Sequence, residues 1–123
     1  MKQFLLVFLG GGIGSGLRYL ISKALNPYFS SFFIGTFGVN ILGCLLIGIV
    51  LGISAKEDYL TNNQLLFITV GFCGGFTTFS SFALEEYGML REGQLMSFAI
   101  YTISSIVVGI LAVVFGLWLS RVL

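Results

Sequence analysis

Histidine is absent from this sequence, tryptophan and proline occur once each, and charged residues fill only 9% of the 123 positions. Each shortage excludes something. Without histidine the chain lacks the commonest general base and the commonest transition-metal ligand. No carboxylate lies deep in an apolar run to replace it, so no nucleophile–base pair can be assembled and an enzyme is not expected. Soluble domains average about 25% charged residues, so a chain this poor in charge cannot cover a water-facing surface. A net charge of +1 leaves no basic patch to displace counterions, which excludes a nucleic-acid partner. Cys44 and Cys73 both fall in apolar runs; they read as small buried thiols, and a disulfide between them is not indicated.

What remains is 57% hydrophobic, with a mean hydropathy of +1.04, and reads as an integral membrane protein. A spanning helix needs about 20 apolar residues. Four segments qualify: Gln3 to Ser22, Phe32 to Ser54, Gln64 to Tyr87 and Gln94 to Ser120. The linkers Lys23–Ser31, Lys56–Asn63 and Arg91–Gly93 are short and hold most of the charge. Residues 1–123 therefore form a single four-helix domain with all-α architecture. The N-terminal run lacks an A-x-A cleavage pattern and reads as a retained first helix.

The third segment holds the most unusual stretch, Gly71-Phe72-Cys73-Gly74-Gly75-Phe76-Thr77-Thr78-Phe79-Ser80-Ser81-Phe82. Glycine weakens a helix by about 1 kcal/mol relative to alanine, so Gly-Gly before Thr-Thr marks a place for the helix to break mid-membrane. Irregular backbone at that depth needs cover from protein or a wet cavity, and its free carbonyls can hold a cation. Phe79 and Phe82 are three apart and share a face. Their ring edges are positive, which lets them face an anion without gripping it. Glu85 and Glu86 follow at the membrane border, where both read as solvated interfacial charges.

The other helices add neutral polar groups. Thr36 and Asn40 are four apart and share a face. The Asn40 amide either bonds another helix or aims its two donor hydrogens at an anion. Tyr101, Ser105 and Gly109 form one stripe on the last helix. Arg18 either snorkels to the interface or faces an aqueous vestibule. Gly10 with Gly14, and Gly12 with Gly16, are small-xxx-small pairs suited to close helix approach. Four spans put Lys2, Lys56 and Arg121 on one side and Arg18, Lys23 and Arg91 on the other. Orientation needs an excess of Lys and Arg on one side. This balance implies insertion both ways round, and hence a two-fold dimer of opposed copies.

These motifs resemble those of the Fluc (CrcB) family of small bacterial fluoride channels. The match runs through Gly11-Gly12-x-Gly14-x-x-x-Arg18-Tyr19, Gly35-Thr36-x-x-Val39-Asn40-x-x-Gly43, the third-helix stretch above, and Tyr101 with Ser105. It covers all four spans in order. Two departures stand out: Ser80-Ser81 where the family usually has Ser-Thr, and Gly109 where some relatives carry a hydroxyl. The resemblance implies a multi-pass protein of the bacterial inner membrane that lets fluoride leave passively and so lowers cytoplasmic fluoride. It implies an antiparallel, dual-topology homodimer with two pores and a structural sodium ion, held by the carbonyls of Gly74 and Thr77 from each copy. It implies that Phe79 and Phe82 contact fluoride near Asn40. Ser80, Ser81, Thr36, Tyr101 and Ser105 would line the path, and Arg18 the vestibule. The alternative from another class is a small dual-topology proton-coupled antiporter, which needs a carboxylate within the membrane.

Overall fold

The computed structural model describes residues 1–28, 32–56 and 59–123; parts of two expected linkers, 29–31 and 57–58, lie outside the described residues. The elements are α1 (Lys2–Leu25), a 3₁₀ turn (Asn26–Tyr28), α2 (Ile34–Ser54), α3 (Asn62–Leu66), a π-helical stretch (Phe67–Cys73), α4 (Gly74–Phe76), α5 (Ser80–Arg91) and α6 (Leu95–Val122). Among the described residues, four stretches are long and apolar enough to cross a membrane: Lys2–Leu25, Ile34–Ser54, Asn62–Arg91 and Leu95–Val122. The chain is a multi-pass membrane protein. Large apolar side chains such as Ile103, Ile110 and Val114 on α6 point outward, as expected where lipid tails replace water.

Local chemistry sets the ends of the third span. Thr61 caps α3: its hydroxyl accepts from the Gln64 N–H at 3.2 Å, and the Gln64 side chain accepts from the Thr61 N–H at 2.9 Å, a reciprocal box. At the other end Gly93 adopts φ +73°. Gln94 N–H then reaches the Met89 carbonyl and Gly93 N–H the Leu90 carbonyl, closing α5 by a Schellman turn that favours glycine. Between these ends the winding changes. Thr77 is extended, at φ −84° and ψ 159°, and helix resumes at Ser80.

Two close seams hold the helices together. In the first, α1 lies on the third span: a Cβ added at Gly10 would sit 2.6 Å from the Phe67 carbonyl oxygen, and one at Gly14 would overlap the Phe72 carbonyl. Gly75 meets the Gly11 carbonyl in the same way. In the second, α2 lies on α6, where Gly116 would place a Cβ 2.5 Å from the Leu45 carbonyl and Gly48 faces Val113. Without apolar solvent exclusion to drive association in lipid, such backbone approach supplies the dispersion that joins one helix to the next. Lys56 donates its ammonium to the Ser120 carbonyl at the end of α6, a cation at a helix C-terminus.

Candidate functional site

Where the chain leaves the helix at Thr77 and Thr78, some of the peptide groups find new partners. Thr77 N–H and its hydroxyl both donate to the Cys73 carbonyl, at 3.0 and 2.8 Å. Thr78 N–H turns away from the helix and donates to Asn40 Oδ1 at 2.7 Å, while Asn40 Nδ2 donates to the Thr78 carbonyl at 3.1 Å. One amide side chain thus supplies both bonds that the helix no longer provides. Of the two readings for Asn40, the interhelical bond is present, and one amide hydrogen is left over. The carbonyls of Gly74 and Thr77 find no hydrogen-bond donor among the described residues. A Cβ added at Gly74 would meet nothing within 4 Å.

Beside this irregular backbone lies a cavity of about 390 Å³. Asn40, Thr77, Thr78, Phe79, Phe82 and Ser105 border it, together with Gly43, Cys44 and aliphatic side chains. Its described walls carry no ionisable Lys, Arg, Asp or Glu. The Phe79 and Phe82 rings are 6.1 Å apart; Phe79 is 79% exposed on the single chain. The Ser105 hydroxyl is buried and has no partner among the described residues. Four candidates for the anion path, Asn40, Phe79, Phe82 and Ser105, therefore meet in one space, with the cation candidate Thr77 at its border.

Others lie apart from it. Thr36 and Tyr101 stand with Glu85, which accepts from the Thr36 hydroxyl at 2.6 Å and from the Tyr101 hydroxyl at 2.7 Å. The Tyr101 ring, fully buried, meets Phe82 edge-on at 5.1 Å. Ser80 sits at the start of α5, 3.3 Å from the Thr78 hydroxyl, and Ser81 N–H donates to that same hydroxyl at 3.2 Å. Arg18 Nε donates to the Gly75 carbonyl at 2.9 Å, beside a weaker bond from Ser15, so the guanidinium lies against the third span.

The expectation for the two glutamates is corrected. Neither is a freely solvated interfacial charge: Glu85 is bonded by two hydroxyls, and Glu86 is 6% exposed with neither oxygen partnered among the described residues. Glu85 escaped sequence reading because its partners come from α2 and α6. The signal available was its place three residues beyond Phe82, on the same helix face.

The fold defines a small multi-pass membrane protein whose helices enclose a neutral, polar-edged cleft. The chain belongs to the CrcB family: the family model described as CrcB-like protein, Camphor Resistance (CrcB), matches residues 5–117. It is 47% identical over 122 residues to a protein of Phocaeicola vulgatus named fluoride-specific ion channel FluC, covering 98% of this chain and 100% of the relative. Proteins of the same name from Azobacteroides pseudotrichonymphae and Methylobacillus flagellatus are 43% and 42% identical, over 98% of this chain and 98% and 96% of theirs.

Proposed function

We propose that the protein is a fluoride-specific channel of the bacterial inner membrane that lets fluoride leave the cytoplasm down its gradient. The observation that carries this reading is the cavity whose walls combine the Phe79 and Phe82 rings, the Asn40 amide and the unpartnered Ser105 hydroxyl. A bare small anion in a low-dielectric medium costs tens of kcal/mol by the Born estimate. Neutral donors and ring edges offset much of that cost and still release the ion, which conduction requires. Thr36, Tyr101, Ser80 and Ser81 continue the polar route away from the cavity, and Arg18 serves its vestibule. Fluoride in particular is supported by the relatives' names.

The working unit in this reading is an antiparallel homodimer with two routes. Gly12, Gly16, Gly38 and Gly74 each face open space on one chain, and the exposed Phe79 ring needs cover; a second copy supplies both. The non-helical residues Thr77–Phe79 then lie at mid-membrane depth and break the third span. The free Gly74 and Thr77 carbonyls suit a hard cation. With no cluster of three metal-binding side chains among the described residues, backbone dipoles alone favour a monovalent ion such as sodium. Its contribution is to neutralise facing carbonyl dipoles where two copies meet.

Fluoride-electrode recordings from proteoliposomes test the reading: efflux is expected, and its absence with intact protein overturns it. Buried Glu86 is the observation on the side of a proton-coupled antiporter. That mechanism requires an imposed pH gradient to drive uphill transport, whereas a channel shows dissipation alone.

A further inference from the structure

We propose that Glu86 keeps its proton at neutral pH, donates it to the Thr102 hydroxyl across the seam between α5 and α6, and slows fluoride flow when it loses that proton in alkali. The effect on flow rests on the fluoride-channel reading above; the state of the carboxyl does not.

Glu86 is 6% exposed, and neither of its oxygens has a partner among the described residues. Both oxygens are covered within the single chain, so water, lipid and a second copy are all kept from them. An isolated buried carboxylate is costly enough that the group takes up a proton instead. The charges that would offset that cost are missing. No Lys or Arg pairs with Glu86 among the described residues. The helices packed on α5 bring no cation near it: α2 has no charged residue, and Arg121, the one cation on α6, stands at the far end of that helix. On α5 itself, Arg91 is five residues on and points off the Glu86 face. The titratable groups within electrostatic reach are Glu85 on the same helix and Tyr101 on α6. The first adds repulsion and the second adds no positive charge.

Thr102 is the polar neighbour across the seam. Its hydroxyl gives its one hydrogen to the Phe98 carbonyl at 2.8 Å, so it has lone pairs to offer and no hydrogen. A carboxylate also only accepts, and finds nothing there. A carboxylic acid finds an acceptor for its O–H. The seam is matched to the protonated form alone.

The proton bears on the anion path through charge rather than contact. Tyr101 packs on Phe82 at 5.1 Å, and Phe82 borders the cavity. When Glu86 gives its proton to hydroxide, forming water, a second negative charge appears beside Glu85, behind that ring pair. At an effective dielectric of about 20, two like unit charges about 10 Å apart repel enough to slow an anion roughly tenfold.

Infrared spectra of the protein in bilayers test the proton directly. A protonated-carboxyl C=O band is expected at neutral pH, retained in Glu85→Gln and absent in Glu86→Gln. Thr102→Val should shift that band, because the acid loses its acceptor. Fluoride efflux from proteoliposomes should fall at least about fivefold when both faces are made alkaline, although fluoride is already fully ionised at neutral pH. Glu86→Gln should keep the native neutral-pH rate within about twofold and lose the alkaline decline. A missing band, or one that survives Glu86→Gln, overturns the proposal. So does an alkaline decline of equal size in Glu86→Gln, which would assign it to another group such as Tyr101 or Cys44. If Glu86→Gln does not fold, Thr102→Val decides: a shifted band supports the proposal and an unmoved one refutes it. A native protein that passes no fluoride at any pH defeats the channel reading instead, and the infrared band still judges the proton.

Discussion

The two sides of the third span use the same small residues to opposite ends. Toward α1, Gly10, Gly14 and Gly75 bring backbone against backbone, and no space is left for even one methyl group. Toward α2 and α6, the span faces a cavity of about 390 Å³, and the Phe79 ring beside it is exposed on the single chain. The seam is chemically complete within one chain. The cleft carries an orphaned hydroxyl, and the adjoining backbone carries two unpaired carbonyls. Close packing is the normal condition of protein interiors, so the unpacked side is where a ligand or a second copy belongs.

This contrast breaks most sharply at the seam. Gly14→Val places its side chain on the Phe72 carbonyl and should cost at least the upper part of the 1–3 kcal/mol range (roughly) for overpacking. Little monodisperse protein should survive detergent extraction. Gly74→Val faces open space and should keep native helicity by circular dichroism while losing dimer on gel filtration. Equal behaviour of the two variants would erase the distinction. Next in size is Asn40→Leu, which strands the N–H and carbonyl of Thr78 at about 1–3 kcal/mol for each group; a clear drop in melting temperature should follow.

Phe82→Ile removes a ring edge without altering charge and should slow fluoride efflux at least about tenfold, or roughly 1.4 kcal/mol in the barrier. Unchanged efflux would mean the cleft is not the route. The mildest test is Ser105→Ala. Its hydroxyl has no partner to lose, so stability should stay within about 0.5 kcal/mol. Efflux should still fall by roughly fivefold, in line with one lost hydrogen bond of about 1 kcal/mol.

Hydropathy located the four spans to within a few residues, because about 20 consecutive apolar residues have few other stable settings. The third span extends further than its apolar run suggests, back to Thr61–Gln64 and forward to Arg91. Those ends are set by a side-chain cap and a left-handed glycine, which a hydropathy window does not register. The π-helical winding of Phe67–Cys73 had no local signal in the residue pattern. Asn40, Phe79, Phe82 and Ser105 were each readable as polar or aromatic oddities in apolar runs. Their meeting at one cavity was implied by the family resemblance alone, because it depends on the rotation of three spans about their axes. Glu85 was misjudged for the same reason: charge at a span end looks solvated until residues 49 and 16 positions away are seen to reach it.

Asn40 also bears on how the chain is made. Ribosomes deliver α1 and α2 to the bilayer before the third span exists, so the amide that receives Thr78, and the guanidinium that receives Gly75, are already waiting when those peptide groups arrive. The Thr78 peptide groups and the Gly75 carbonyl thus meet their partners as the third span enters lipid. Glu85 has no such head start with Tyr101, which emerges 16 residues later. Maturation of the aromatic cluster is thus tied to the last helix leaving the translocon.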